Sequence, residues 1–266
     1  MNKNLVKEIV EKTEVFLLDM DGTIYLDSTP IGDMVKTLEK LRKAGKKIVY
    51  FTNNSSKTAS EYEKKLKTIG FWEDGDKVYS SGLATIWYLK KYHSGKRVHL
   101  MGTDALVNAF IANGIIIDNE NPEVVVLAYD TSMNFNKIKL FNEFLVKGTT
   151  YIATHPDLVC PTETISMPDL GSFIKMFEAS SNRVPDVIIG KPYKVMGEML
   201  EENYKTEKDK ITMVGDRIYT DVMFGINCGF NSILVLSGET TIEKLSESGV
   251  KPTLVLDSFN DVAEFV

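Results

Sequence analysis

The stretch Val15-Phe16-Leu17-Leu18-Asp19-Met20-Asp21-Gly22-Thr23 places two aspartates directly after four consecutive apolar residues. A short apolar run that ends in a turn is typical of a buried strand in a parallel sheet. Two carboxylates so close together at the end of a buried strand repel each other unless a cation lies between them. Because oxygen ligands of this kind suit Mg²⁺, the stretch predicts a strand with a magnesium site at its carboxyl end.

The same stretch is also compatible with an ordinary turn, because Asp and Gly are common turn residues. A calcium loop that begins at Asp19 is excluded, since it requires Gly at its sixth position and Glu at its twelfth. Those positions hold Ile24 and Pro30. A magnesium site and a structural turn are therefore the two possibilities that the stretch leaves open by itself.

The composition indicates a globular protein with its own hydrophobic core. The chain has 266 residues, of which 43% are hydrophobic, and its net charge of −6 argues against a nucleic-acid partner. No apolar stretch reaches the 18 or so residues that a membrane helix needs, so no membrane partner is expected. The cysteines, Cys160 and Cys228, form no C-x-x-C pair, which predicts neither a disulfide nor a zinc site and favours a cytoplasmic location.

Short apolar runs alternate with amphipathic helical segments along the chain. This alternation predicts an α/β fold, a Rossmann-like doubly wound parallel sheet with helices on both faces. Ligands of such sheets bind beyond the carboxyl ends of the strands. The predicted buried strands are Val15–Leu18, Lys47–Phe51, Val187–Ile189, Ile211–Val214, Ser232–Leu236 and Thr253–Leu256.

The middle of the chain has a strand and helix pattern of its own. It contains predicted strands at Arg97–Met101, Val124–Ala128 and Thr150–Ala153, with helices at Asp104–Asn113 and Asn136–Val146 between them. A segment of this length is improbable as a loop, so residues 82–182 are predicted to form a smaller inserted α/β domain. Residues 1–81 and 183–266 then form a discontinuous core domain.

Three more predicted strands end in polar turns. They lead into Thr52-Asn53-Asn54-Ser55-Ser56, into Gly190-Lys191-Pro192, and into Gly215-Asp216-Arg217 followed by Asp221. Taken singly, these residues are compatible with helix caps and solvated charges. Together with Asp19 they provide what phosphoryl transfer needs, namely a nucleophile, oxygen donors, a cation and metal ligands.

These four motifs resemble those of the haloacid dehalogenase superfamily, in the branch of the 4-nitrophenylphosphatases and NagD-like phosphatases. Asp19-Met20-Asp21-Gly22-Thr23 matches the first motif, Thr52-Asn53-Asn54 the second, Lys191 the third, and Gly215-Asp216-Arg217 with Asp221 the fourth. Thr52 follows Asp19 by only 33 positions, whereas Lys191 follows Thr52 by 139. The long insertion therefore resembles the type IIA cap, an α/β domain of this branch.

The resemblance implies a role for each motif residue. Asp19 is expected to be the nucleophile, Asp21 the general acid and base, and Lys191 a catalytic cation that also binds substrate. The expected metal is Mg²⁺. Its expected ligands are the carboxylates of Asp19 and Asp216 and the backbone carbonyl of Asp21, and Asp221 is expected to orient these ligands. The residues expected to bind the phosphate of the substrate are Thr52, Asn53, Asn54 and Lys191.

One turn of the cap departs from the family pattern. In Thr154-His155-Pro156-Asp157, an asparagine is expected where the sequence has His155. His155 and Asp157 are expected to bind the leaving group of the substrate, because loops at strand ends often carry recognition residues. A purely structural turn is the alternative.

The expected function is Mg²⁺-dependent hydrolysis of small phosphate monoesters through an aspartyl phosphate. The substrate class includes sugar phosphates, nucleotides and aryl phosphates such as 4-nitrophenyl phosphate. Two alternatives stay open on sequence grounds: a phosphomutase or phosphotransferase of the same superfamily, and a non-enzymatic receiver-like phosphoacceptor. A homodimer formed through the cap is also compatible with the resemblance.

Overall fold

The computed structural model describes residues 3–161 and 165–266, and the chain divides into two compact units. The first unit comprises Met1–Thr52, Ser60–Tyr79 and Lys191–Val266. The second comprises Asn53–Ala59 and Ser80–Gly190. The predicted inserted domain, residues 82–182, lies within the second unit, which extends beyond it at both ends and also takes the segment 53–59.

Strands and helices alternate along the described residues. The strands are β1 (Val15–Leu18), β2 (Tyr25–Leu26), β3 (Thr29–Pro30), β4 (Lys47–Thr52), β5 (Lys77–Ser80), β6 (Arg97–Met101), β7 (Ile116–Ile117), β8 (Val124–Leu127), β9 (Thr150–Ala153), β10 (Val159–Pro161), β11 (Ser166–Pro168), β12 (Val187–Ile188), β13 (Ile211–Gly215), β14 (Asn231–Val235) and β15 (Leu254–Leu256). The α-helices are α1 (Lys3–Lys12), α2 (Met34–Lys43), α3 (Ala59–Thr68), α4 (Ser81–Tyr92), α5 (Asp104–Ala112), α6 (Phe135–Val146), α7 (Leu170–Ser181), α8 (Val195–Tyr204), α9 (Met223–Cys228) and α10 (Ile242–Ser248). None of the helices in the described ranges is both long enough and apolar enough to cross a membrane.

The sheet of the first unit has six strands in the order β15-β14-β13-β1-β4-β5. Strand β1 pairs in parallel with β13 on one side and with β4 on the other. All four of its residues are buried, because helices cover both faces of a sheet of this kind. The carboxyl ends of β1, β4 and β13 therefore lie next to one another at one edge, where open α/β sheets bind their ligands.

Helix α2 illustrates how the first unit closes over its sheet. Its buried residues are Met34, Thr37, Leu38 and Leu41, at spacings of three and four along the helix. This spacing gives one apolar stripe, so the helix is stable only when that stripe packs against the sheet.

The sheet of the second unit has five parallel strands in the order β12-β9-β8-β6-β7. Helices α6 and α7 contribute Phe141, Phe144, Leu145, Ile174 and Phe177 to its core. Phe141 packs against Tyr151 and Phe177, with ring centroids 5.6 and 4.8 Å apart. This unit therefore has a hydrophobic core of its own.

The strand prediction was wrong at one place in the large sheet. Val187–Ile189 was expected there, but β12 pairs in parallel with β9, so that it belongs to the sheet of the second unit. The sixth strand of the first sheet is instead β5, a Lys-Val-Tyr-Ser segment at the sheet edge that is too short and polar to be recognised from its pattern. The other five predicted strands of that sheet are confirmed within one or two residues.

The aromatic core of the second unit gives a prediction on stability. Phe141→Ala removes a fully buried ring and should lower the free energy of unfolding by about 3–5 kcal/mol, as large core truncations do. Phe135, on the same helix, is 76% exposed, so Phe135→Ala should change that free energy by less than about 0.5 kcal/mol. Urea unfolding of both variants measures the difference. Equal losses would contradict the assignment of Phe141 to the core.

Candidate active site

The buried ammonium group of Lys191 is the centre of the candidate site. Its Nζ donates to Asp19 Oδ1 at 2.7 Å, to Asp221 Oδ1 at 2.7 Å and to the carbonyl oxygen of Phe51 at 3.2 Å. The side chain is only 1% exposed. A lysine has three N–H groups, so these acceptors satisfy all of them.

Asp19 directly follows β1 and has one carboxylate oxygen left for chemistry. Its backbone N–H donates to the carbonyl of Val214 on β13 at 2.9 Å, which fixes the backbone at the end of the strand. Oδ1 is bound to Lys191, whereas Oδ2 accepts no hydrogen bond from any residue that the structure describes. The side chain is 17% exposed, so the carboxylate is partly open to solvent.

Asp216, at the end of β13, is enclosed by backbone. Its Oδ2 accepts from the backbone N–H of Glu239 at 2.7 Å, and its Oδ1 accepts from Thr23 Oγ1 at 3.4 Å. A Cβ added to Gly238 would lie 2.0 Å from Oδ2, and one added to Gly22 would lie 2.6 Å from it. Gly22 also has a φ of +84°, a backbone conformation that residues with a side chain rarely adopt. These glycines let the backbone approach the carboxylate.

Asp221 lies in a π-helical turn, Ile218–Val222, that follows β13. Its Oδ1 accepts from Lys191 and its Oδ2 from the backbone N–H of Arg217 at 3.1 Å. Irregular turns of this type are frequent at functional sites. Because the protein already uses both oxygens, Asp221 is suited to hold Lys191 in place rather than to bind a ligand.

Three carboxylates and one ammonium group form a strongly interacting cluster. One ligand atom from each of Asp19, Asp216 and Asp221 lies within 4.8 Å of the others. Burial raises the pKa of Asp19 to about 8, in spite of Lys191 and with the help of the negative charges of Asp221 and Asp216. Burial and Asp221 raise the pKa of Asp216 to about 6. Burial alone would lower the pKa of Lys191, but Asp19 and Asp221 overcome this and raise it.

This cluster fits a divalent cation. When all four groups are ionised, the three acids outnumber the single lysine, and a dication would balance the remaining charge. The ligand atoms are all oxygens, as Mg²⁺ and Ca²⁺ require. Asp19 and Asp216 are the more suitable ligands, since Asp216 Oδ1 accepts only a long hydrogen bond of 3.4 Å from Thr23, whereas the oxygens of Asp221 accept at 2.7 and 3.1 Å.

Two further residues of the predicted site lie at the ends of the same strands. Asp21 is exposed in the turn after β1, and Thr52 is buried as the last residue of β4. The structure thus joins Asp19, Lys191 and Asp221 by direct hydrogen bonds, brings Asp216 beside them, and leaves Asp21 open to solvent.

The remaining predicted residues lie in the second unit. The segment 53–56 is shaped by Asn54, whose Oδ1 accepts from the backbone N–H of Ser56 at 2.8 Å. Asn53 Nδ2 donates to Asp157 Oδ2 at 3.1 Å. The carboxylate of Asp157 therefore orients the amide of Asn53.

His155 is fully buried, and protein atoms contact both of its ring nitrogens. Nε2 lies 2.9 Å from Asp169 Oδ1, and Nδ1 lies 3.1 Å from Thr154 Oγ1. A ring in this position favours a supporting role within the unit over direct contact with a leaving group.

Sequence reasoning missed several groups of the site. The backbone of Gly238 and Glu239 encloses Asp216, and Ser237 Oγ donates to the carbonyl of Gly22 at 2.8 Å. The available signal was a Ser-Gly pair directly after the predicted strand Ser232–Leu236. The sequence pattern did not indicate the contact of Asp169 with His155, because an aspartate directly before a helix is common as an N-cap.

Comparisons with known proteins identify the family of this chain. The model of a family described as haloacid dehalogenase-like hydrolase matches residues 16–116, and one described as HAD-hydrolase-like matches residues 188–262. An acid sugar phosphatase from Staphylococcus haemolyticus is 33% identical over 248 residues, which are 93% of each chain. A 4-nitrophenylphosphatase structure from Thermotoga maritima has a TM-score of 0.93 and 42% identity, and covers 96% of this chain and 98% of that one.

One structural neighbour bears on the metal. A glycerol phosphate phosphatase from Mycobacterium tuberculosis, solved in complex with calcium, has a TM-score of 0.88 and 25% identity. The match covers 96% of this chain and 76% of that one. The predicted family and α/β fold are confirmed by these matches.

The pKa of Asp19 gives a prediction for the metal-free protein. The folded chain keeps this proton up to about pH 8, whereas an unfolded aspartate loses it near pH 4. Between these values the folded state binds more protons, so wild-type stability falls as the pH rises. Asp19→Asn cannot titrate. In EDTA, the urea midpoint of Asp19→Asn relative to that of the wild type should therefore rise between about pH 5 and about pH 8.

The control for this measurement is Asp74→Asn, since Asp74 is exposed. Its midpoint should follow that of the wild type at every pH. Loss of the negative charge of Asp19 also relieves Asp216, whose pKa is about 6, and this change has the same sign. A difference between Asp19→Asn and wild type that stays constant with pH would contradict the raised pKa.

Proposed function

Because this chain belongs to the haloacid dehalogenase-like hydrolases and is a phosphatase of that family, we propose that it hydrolyses small phosphate monoesters through a phosphoaspartate at Asp19. The observation that carries this proposal is the hydrogen bonding of the two Asp19 carboxylate oxygens. One oxygen is held by the Lys191 ammonium at 2.7 Å, and the other accepts no hydrogen bond from the described residues. A fixed and partly exposed carboxylate, which the dication held by the cluster would keep ionised, is suited to nucleophilic attack.

In the first step, Asp19 Oδ2 forms a bond to phosphorus while the bond from phosphorus to the ester oxygen breaks. The ester oxygen leaves as an alcohol with a proton from Asp21. The exposure of Asp21 in the turn after β1 supports this role, since a general acid must reach the substrate.

In the second step, Asp21 acts as a base. Its carboxylate takes a proton from a water molecule whose oxygen attacks phosphorus, and the bond between phosphorus and Asp19 breaks. Inorganic phosphate leaves, and both aspartates return to their starting states. One hard hydrolysis is thereby divided into two easier steps.

The proposed metal is Mg²⁺. Asp19 and Asp216 would hold it through their carboxylates and Asp21 through its backbone carbonyl, with Asp221 orienting Lys191 beside them. When bound, the cation neutralises negative charge on the phosphoryl group. The three clustered carboxylates support this assignment.

The phosphate oxygens are proposed to bind Thr52, Asn53, Asn54 and Lys191. Thr52, the last residue of β4, and Lys191 both belong to the first unit. To donate to a phosphoryl oxygen, the ammonium group of Lys191 would exchange its longest contact, the one with the carbonyl oxygen of Phe51 at 3.2 Å. Asn53 and Asn54 belong to the segment 53–56, whose shape is set by hydrogen bonds within the second unit.

Sugar phosphates are the proposed physiological class, with 4-nitrophenyl phosphate as a convenient substrate. The names of the relatives from S. haemolyticus and T. maritima support both. Residues 82–182 are proposed to serve as the cap that selects the leaving group, as the resemblance to the type IIA branch implies.

Hydrolysis of 4-nitrophenyl phosphate with Mg²⁺ tests the proposed function. The wild type should release phosphate, whereas Asp19→Asn should lose all measurable turnover, because a neutral amide is a poor nucleophile and a poor metal ligand. Asp33→Asn, on an exposed aspartate, serves as the control and should keep wild-type rates. Phosphate release by Asp19→Asn near the wild-type rate would contradict a nucleophilic Asp19.

Two variants separate acid and base catalysis from metal binding. Asp21→Asn should lose roughly 10²–10⁴ in kcat, because it has no proton to transfer. Its Mg²⁺ requirement should not change, since the backbone carbonyl is retained. Asp216→Ala should instead need a much higher Mg²⁺ concentration for half-maximal rate. Magnesium titration of the rate measures both, and an exchange of the two patterns would reverse the assignments.

A further inference from the structure

A chain of hydrogen bonds runs through the second unit and includes His155. Asp169 Oδ1 lies 2.9 Å from His155 Nε2, and His155 Nδ1 lies 3.1 Å from Thr154 Oγ1. Thr154 Oγ1 lies 2.9 Å from Ser55 Oγ, which in turn accepts from the backbone N–H of Tyr129 at 2.9 Å. This series of hydrogen bonds thus connects Asp169, the N-cap residue of helix α7, with the segment 53–56.

The partners fix the direction of this chain. Asp169 Oδ1 also accepts from the backbone N–H of Leu170 at 2.7 Å, so this oxygen is an acceptor and His155 Nε2 carries the proton. In the neutral ring, Nδ1 then accepts from the Thr154 hydroxyl. The Ser55 hydroxyl, which already accepts from Tyr129, donates to Thr154. Every donor in the chain has one acceptor.

His155, Asp157 and Asp169 also have the composition of a metal site, with ligand atoms within 4.8 Å of one another. Their hydrogen bonds argue against that use. The ring donates to Asp169, Asp169 caps helix α7, and Asp157 accepts from Asn53 at 3.1 Å. These three residues are therefore interpreted as parts of a hydrogen-bond network and not as metal ligands.

The segment 53–56 is held at the carboxyl ends of three parallel strands of the second unit. After β6, Thr103 Oγ1 donates to the carbonyl of Ser56 at 3.1 Å. After β8, the N–H of Tyr129 binds Ser55. After β9, Thr154 binds Ser55 and Asp157 binds Asn53. Thr154 is the point in this set that depends on His155.

Space around Asn53 is also restricted. A Cβ added to Gly190 would lie 2.6 Å from Asn53 Oδ1 and 2.8 Å from both the His155 Cβ and the Thr154 carbonyl oxygen. Gly190 therefore has to remain without a side chain for Asn53 and His155 to keep their places.

We propose that His155 is a positioning residue, which fixes the Ser55 hydroxyl through Thr154 and thereby sets the geometry of the phosphate-binding segment that carries Asn53. This inference rests on the proposed function for its catalytic consequence. Histidine suits the position because its two ring nitrogens reach Thr154 and Asp169 at once, whereas the asparagine expected here can reach only one. Since the phosphoryl group is common to all substrates, the effect of His155 on rate is the same for every ester.

The kinetic test measures kcat and KM of His155→Ala on a panel of phosphate monoesters that includes 4-nitrophenyl phosphate and several sugar phosphates. We expect kcat/KM to fall by about 10- to 100-fold, by a common factor across the panel, as for displacement of a group that binds the transition state. The loss should appear in kcat more than in KM. Uneven losses across the panel would overturn the proposal and assign leaving-group recognition to the ring.

Two conservative variants identify which half of the ring matters. His155→Asn places an amide oxygen near the position of Nδ1, so it keeps the contact with Thr154 and should restore most of kcat. His155→Gln extends towards Asp169 instead and should restore less. His93→Ala is the matched control, because His93 lies in the same unit at the end of α4, where its ring packs against Tyr88. It should leave all rates unchanged.

A double-mutant cycle tests the path through Ser55. If His155 acts through Thr154 and Ser55, the double variant His155→Ala with Ser55→Ala should lose no more than about 3-fold beyond the worse single variant. Losses that multiply would mean that the two residues act independently, and the proposed path would then be wrong.

Hydrogen exchange tests the positioning itself, even if the wild type shows no phosphatase activity. His155→Ala and Ser55→Ala should each speed amide exchange in the peptide that spans residues 53–59, whereas His93→Ala should not. An inactive wild type with this exchange pattern would refute the proposed function alone. Unchanged exchange in residues 53–59 of His155→Ala, in a variant that unfolds as cooperatively as the wild type, would overturn the proposal.

Discussion

The ion pair network of Lys191 is the interaction on which the rest of the site depends. Three carboxylates lie at the ends of β1 and β13 or just after them, and their mutual repulsion would be severe without a buried positive charge. Lys191 supplies that charge and contacts Asp19 and Asp221 at the same distance of 2.7 Å. A single partner would leave one carboxylate uncompensated, so the lysine sets the positions of the nucleophile and of its neighbour together.

The network also explains why so much of the surrounding backbone is glycine. A Cβ at Gly215 would lie 2.3 Å from the Asp221 side chain, and one at Gly238 would lie 2.0 Å from Asp216. Backbone N–H groups replace side chains at these positions, as in the contact of Glu239 with Asp216. Main-chain donors have no side-chain rotamers to lose when the site forms. The carboxylates are consequently held in a fixed geometry before any ligand binds.

Much of the first unit follows from the sequence because buried parallel strands combine apolar runs with reactive residues at their ends. Asp19 and Asp216 were singled out by this pattern, and the resemblance to a known family implied their roles. The position of β12 was not predicted, because a short apolar run does not determine which sheet it joins. Its pairing with β9 depends on residues that are distant in the sequence. The role of His155 was hidden for the same reason. Its partner Asp169 is 14 residues away, and its burial results from packing that the local sequence does not encode.

The chemical state of Asp19 during turnover tests the proposed covalent mechanism most directly. Wild type and Asp21→Asn are mixed with 4-nitrophenyl phosphate and Mg²⁺, quenched in acid within milliseconds, and digested for mass spectrometry. We expect a phosphorylated peptide that contains Asp19, with greater accumulation in Asp21→Asn because water attack on the phosphoaspartate lacks its base. Phosphate release by the wild type without any phosphorylated Asp19, in a quench that preserves an added acyl phosphate standard, would contradict covalent catalysis at this residue.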